Sequence, residues 1–188
     1  MITLFIDTHS SRLLIGLLKD DKVVDKISKE ERSHSEHIMP SIEALLESNN
    51  IDVKDINKII VVNGPGSFTG VRLGVTIAKT LAFTLKAEIC PISSLEAYGE
   101  SSEEDYDLIC LKDTKGVYSA KKENNKYIDF EYRKNSDFEK YVKDNNYKTL
   151  FSDEIDLTKV NEYAKKIESV NAHSVNPLYV KLIDAEKW

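Results

Sequence analysis

A chain of 188 residues is the size of one ordinary domain, or of one domain with a small appendage, and 41% hydrophobic residues supply a real core, which excludes global disorder. A net charge of −6 argues against a protein that grips nucleic acid alone, because neutralising phosphates needs a basic face. Cys90 and Cys110 lie far apart in apolar surroundings and read as reduced core residues of a cytoplasmic protein; the start MITLFIDTHSS lacks a basic region ahead of a long apolar stretch, and no run approaches membrane-spanning length.

In chain order, ITLFIDT reads as a buried strand, RLLIGLLK as a second, and the alternating DKVVDKIS as a third, more exposed one. A turn at Asp20-Asp21 joins the last two, so the chain opens as an antiparallel meander. HSEHIMPSIEALLESNN places Ile38, Ile42, Leu45 and Leu46 at helical spacing, and Pro40 is expected to bend this helix or mark its first turn. KIIVV is a near-continuous apolar run, as in a strand covered on both faces. A glycine-rich turn follows, then a helix from about Gly70 to Lys86. Its apolar residues, including Leu73, Ile77, Leu81 and Phe83, cover most of its circumference, so burial nearly all round is expected. EICPI is a short strand and SSLEAYGE a short helix capped by Ser93 or Ser94. Near residue 100 the acidic SSEEDYD reads as a linker. Beyond it the strands DLICLK, GVYSAKK, KYIDFEYR and KTLF, with the helices SDFEKYVKDNN and TKVNEYAKKIESV, make a charge- and Tyr-rich α+β lobe with a thin core.

The glycine turn is NGPGSFTGVRLG, residues 63–74, and it holds four of the chain's 7 glycines. Glycines between a strand and a helix let backbone N–H groups approach an anion at the helix N-terminus. The standard signatures do not fit. A P-loop needs Lys and then Ser or Thr after its last glycine, whereas Val71 follows Gly70. Gly64, Gly66 and Gly70 miss the dinucleotide spacing by one residue, and Ser67 directly follows Gly66, which rules out a nucleophile elbow. The local reading is structural: Gly64 and Gly66 supply positive φ, Ser67 or Thr69 caps the helix, and Gly70 and Gly74 permit close packing.

The order β-β-β-α-β-α-β-α over the first hundred residues is that of one half of an actin-like or sugar-kinase-like ATPase. The predicted fold is therefore α/β. An actin-like lobe with a mixed five-stranded sheet spans 1–100, and a small degenerate α+β lobe spans 101–188. In such folds the first hairpin, here FIDTHSSRLLIGLL, lies beneath the nucleotide phosphates. By that analogy Asp7 takes the place of the acid that holds Mg²⁺ through water.

FIDTHSSRLLIGLL, RSHSEHIMPSIEALL, NGPGSFTGVRLGVTIAKTLAF and PISSLEA together resemble the TsaB (YeaZ) family of tRNA threonylcarbamoyladenosine biosynthesis proteins, over roughly residues 1–120, and VNPLYVK resembles the family's closing Pro-x-Tyr segment. The resemblance implies that Asp7, Thr8, Gly64, Gly66, Ser67 and Gly70 form a vestigial nucleotide-side loop. It also implies a non-catalytic subunit without cofactor. That subunit forms a homodimer when alone, pairs with and supports the transferase TsaD, helps recruit the ATPase TsaE, and meets tRNA only through the complex. TsaD carries a metal-holding His-x-x-x-His pair after the matching helix; Ser94 and Tyr98 of PISSLEAY occupy those positions here, and a hydroxyl is a poor ligand unless deprotonated. The chain is shorter than the usual family member, and after Gly116 its remaining 72 residues contain no glycine, so a closed two-lobed ATP site is not expected. The packing face used for partners is implied to include His34, His37, Ile38, Met39, Ile42, Leu46 and Arg72. The alternatives are a weak ATPase or a metal-dependent, glycoprotease-like enzyme.

The other constellations read as structural. His34 and His37, three apart beside Glu36, lack an evident third metal ligand and read as capping and partner contact. Glu30, Glu31, Glu103, Glu104 and Asp105 read as solvated surface. Asp113, Lys115 and Tyr118 shape the second lobe, and Lys121-Lys122 and Lys165-Lys166 are basic islands too small to hold tRNA unaided.

Overall fold

In the computed structural model residues 1–30 and 33–181 are described. Three strands open the chain: β1 (Ile2–Asp7), β2 (Arg12–Lys19) and β3 (Lys22–Glu30). Asp20 and Asp21 both adopt positive φ, the pairing a tight two-residue hairpin requires. Helix α1 (His34–Ser48), β4 (Ile56–Val62), α2 (Phe68–Leu85), β5 (Glu88–Ile92) and α3 (Ser94–Ser101) follow. The first sheet has five strands in the order β3-β2-β1-β4-β5; the β1–β2 and β2–β3 pairs are antiparallel, the β1–β4 and β4–β5 pairs parallel. This is the mixed sheet of an actin-like lobe, as the element order predicts.

Strand period two divides the apolar runs between two cores. Leu4, Ile6, Leu13, Ile15, Ile59 and Val61 face α1 and α2. Phe5, Leu14, Leu18, Ile60 and Val62 face the other way, toward Ala97 of α3 and Leu157, Val160 and Ala164 of a late helix, α5 (Leu157–Ala164). Between α3 and α5 the chain builds a second sheet from β6 (Leu108–Asp113), β7 (Gly116–Glu123), β8 (Lys126–Lys134) and β9 (Thr149–Phe151), ordered β8-β7-β6-β9. Helix α4 (Asn135–Asn145) covers its outer face through Phe138, which packs with Leu108, Cys110 and Val117. The layers run α1/α2, first sheet, α3/α5, second sheet, α4.

The boundary near residue 100 marks a change of sheet, and the late segments come back across it. Besides α5, Val170 bridges to Ile89 on the β5 edge and Val175 joins the first core. Lys58 of β4, 6% exposed, donates from Nζ to the Ala164 carbonyl at 3.1 Å, a cation at the C-terminal end of α5 where the helix dipole favours one.

Several expectations are corrected. Helix α2 is buried along one stripe, Val71, Gly74, Val75, Ala78 and Ala82, while Arg72, Thr76, Thr80 and Phe83 lie outside; Phe83 is 65% exposed. It has one sheet to cover, so the surplus apolar residues do not all find a layer. In α1, Ile38, Ile42 and Leu46 fill the chain's own core and present nothing to a partner; Met39 is the exposed apolar residue there, at 40%. Pro40 falls inside α1, beyond its first turn, where it removes one helical N–H donor. Ser33 sits at the N-cap of α1 without a side-chain capping bond. The last predicted helix stops at Ala164, short of Val170.

Candidate functional site

The carboxyl ends of the parallel strands β1 and β4 carry the two loops that actin-like folds use for ligands. After β4, Gly64 takes φ 105° in the turn, and Ser67 caps α2 by accepting from the Gly70 N–H at 3.2 Å. The β1–β2 turn presses against this loop. A Cβ on Gly66 would strike the His9 carbonyl, one on Gly70 the Thr8 carbonyl, and one on Gly74 the Thr8 hydroxyl. Thr8 Oγ1 donates to the Gly70 carbonyl at 2.7 Å, and the Ser67 N–H donates to the His9 carbonyl at 2.6 Å. The β1–β2 turn, from Asp7 through Thr8 to His9, thus packs against the loop that holds Gly64, Gly66, Ser67 and Gly70. The glycines accommodate the chain's own hairpin.

Asp7 is 3% exposed, and its Oδ1 accepts the His9 N–H at 2.9 Å and lies 2.6 Å from His9 Nδ1. His9 Nε2 is 2.7 Å from the Tyr98 hydroxyl on α3. Burial, and after it the Asp7 charge, pushes the Tyr98 phenol well above its ordinary value, so Tyr98 keeps its proton. The His9 imidazole thus bridges the Asp7 carboxylate and the Tyr98 hydroxyl. Asp7, placed by analogy where an acid holds Mg²⁺ through water, has its Oδ1 engaged by His9. Ser94 also has a job inside the protein, donating to the Pro65 carbonyl at 2.7 Å. Ser94 and Tyr98 are both buried, at 0% and 2% exposure. Among the described residues no group of three or more His, Cys, Asp or Glu is placed to hold a metal.

The near-terminal segment completes the arrangement. The Leu178 N–H donates to the Asn63 carbonyl at 2.7 Å, and Asn63 Nδ2 donates to the Asn176 carbonyl at 3.1 Å. This strap and the second sheet border a cleft of about 810 Å³ with His9, Ser67, Phe68, Lys112 and Asp113 on its walls. Burial works against a charged Asp113, but hydrogen bonds from Lys181 and Tyr132 outweigh it and hold the carboxyl below its ordinary value.

Of the expected partner residues, His34 is partly buried with Nε2 2.7 Å from the Ser10 carbonyl, and His37 is partly buried. Arg72 lies on the strap side of α2, over the Phe68 ring, while Leu73 and His34 both line a cavity between α1 and α2. Three of the acidic positions sit in surface ion pairs, Glu30 with Arg12, Glu103 with Lys159 and Glu104 with Lys148; Asp105 is exposed, and Glu31 lies outside the described residues. The basic islands are tied down likewise, Lys122 to Glu100 and Lys165 to Asp21. Sequence reasoning missed His9, the joint use of Phe68 and Tyr179, and the docking of Leu178. No local pattern announces a partner 89 positions away, the separation of His9 and Tyr98.

The family model described as TsaD, tRNA N6-adenosine threonylcarbamoyltransferase, matches residues 26–148. The protein called tRNA threonylcarbamoyladenosine biosynthesis protein TsaB in Bacillus subtilis is 45% identical over 97 residues, 51% of this chain and 42% of that one. The TsaB protein of Buchnera aphidicola from Acyrthosiphon pisum is 26% identical over 191 aligned positions, 98% of this chain and 85% of that one. The chain belongs to the TsaD family, on its TsaB (YeaZ) branch. The matched stretch is less than half the length of the Bacillus TsaB. The solved YeaZ of Pseudomonas aeruginosa shares the fold with a TM-score of 0.76 at 16% identity, over 95% of this chain and 100% of that one. Among the described residues of this TsaB-branch chain no helix is long and apolar enough to cross a membrane.

Proposed function

We propose that this chain is a cytoplasmic, non-catalytic subunit in the formation of N6-threonylcarbamoyladenosine at adenosine 37 of tRNA. It binds and activates a TsaD-type transferase and helps recruit a TsaE-type ATPase. The names of its relatives support the pathway. The non-catalytic role rests on one observation: Ser94 and Tyr98, at the positions of TsaD's metal-holding histidines, spend their hydroxyls on Pro65 and His9 inside the fold.

The partner face we assign is the outer side of α1 around Met39 and His37, with the adjoining flank of α2. A flexible Met suits a surface that meets both a second copy of itself and a related partner. Binding there biases TsaD toward its competent state, so affinity and activation are coupled. The test is reconstitution of tRNA modification from purified components with and without this chain. Modification that is much faster with the chain, and absent when the chain replaces TsaD, is the expected result. Equal rates with and without it refute the role.

A further inference from the structure

Phe68 and Tyr179 are exposed aromatics, 45% and 51%, brought together from α2 and the strap with ring centroids 5.4 Å apart. The Arg72 guanidinium lies 4.8 Å from the Phe68 centroid. Large aromatics at a folded surface lose area to water for no internal gain, so a tilted pair topped by a guanidinium is unusual surface. It stands at the inter-sheet cleft, whose lining includes Lys181 and the carboxylate of Asp113, while the Lys112 ammonium lies over the Phe151 ring, 5.3 Å from its centroid. Lys181 lies 2.8 Å from that carboxylate and offsets its charge. Two flat rings with a guanidinium plane over one of them are the parts that stack an unpaired nucleobase.

We propose that Phe68, Tyr179 and Arg72 form a stacking platform for one unpaired RNA nucleotide. The choice of RNA rests on the tRNA-modification reading; the platform itself stands on the geometry. One nucleotide's worth of contact is weak alone, consistent with the chain's acidity, and adds to whatever RNA grip the assembled complex has. The site lies on the strap side of α2, opposite the flank assigned to partners, so both can be occupied together.

The test uses the full chain alone, so that its outcome is independent of TsaD binding. Fluorescence anisotropy with a labelled, unstructured RNA oligonucleotide at low salt is expected to show binding. Phe68→Ala combined with Tyr179→Ala should weaken it roughly fivefold or more, while Phe68→Tyr keeps it. Arg72→Gln should lower the slope of log affinity against log salt by about 0.7. A blunt RNA duplex of equal length should bind far less well. The proposal is overturned if the oligonucleotide does not bind, if the variants with unchanged melting temperature bind as the parent does, or if the duplex binds equally. Mole-for-mole displacement by AMP would make the ligand a free nucleotide, and better displacement by an acidic Tyr-rich peptide would make it a protein; either sinks the RNA assignment.

Discussion

Gly70 and Gly74 face the carbonyl and hydroxyl of Thr8, a residue that is itself fully buried. A branched side chain at either position has to push the β1–β2 turn off α2. Gly70→Val and Gly74→Val should each cost roughly 1–3 kcal/mol, read as a lower urea midpoint at unchanged slope. Tyr98→Phe leaves His9 Nε2 buried and unpaired, and should cost about 1–3 kcal/mol without creating any metal affinity. The packing role of these glycines was legible, because glycine concentrated between a strand and a helix has few uses. The Asp7–His9–Tyr98 chain was not, because its members meet only after three elements have folded. Burial pushes the Cys90 thiol up to about 11 and the Cys110 thiol up to about 12, and drives the Tyr127 phenol upward too. Unfolded thiols and phenols ionise near about 8.5 and 10, so above those values the unfolded state releases protons that the folded state retains. Stability from these groups is complete below about pH 8 and declines as pH rises. Urea midpoints measured from neutral pH upward should fall continuously, with both thiols silent toward Ellman's reagent until unfolding.

Helical spacing picked out α1 and its apolar residues without saying which neighbour takes them. Ile42 is 1% exposed and Met39 40%, three residues apart on the same helix. Ile42→Asp buries an unpaired carboxylate in the first core and should abolish cooperative folding. Met39→Asp should leave the melting temperature within a few degrees and still weaken self-association and TsaD binding together, measured by sedimentation and by pull-down. If Met39→Asp binds TsaD as the parent does, the partner face is elsewhere. For α2 the pattern misled in the opposite direction. A mainly apolar helix was expected to be enclosed, yet only one sheet lies against it, and the aromatics at its two ends, Phe68 and Phe83, were left in water. Composition measures how much a helix can bury. The number of layers around it decides how much it does.

At the scale of the whole molecule, the mixed five-stranded sheet of the first lobe was legible in the sequence, since meanders and crossovers leave distinct patterns of length and alternation. The return of α5 across the first sheet did not, because an amphipathic eight-residue helix fits any apolar face of the right size. Gly16 on β2 is the one trace of it: a Cβ there would run into Leu157. That late arrival has a temporal side. The face made by Leu14, Leu18, Ile60 and Val62 is fully covered only when Leu157, Val160 and Ala164 join Ala97, about 140 residues after Leu18. At ribosomal speeds of about 5–20 residues per second, the growing chain carries that greasy face for roughly 7–30 s with part of its cover not yet synthesised. Nascent-chain collapse, chaperone capture and aggregation at high expression all have their opening in that interval, and a faster folding first lobe would lengthen the exposure instead of ending it.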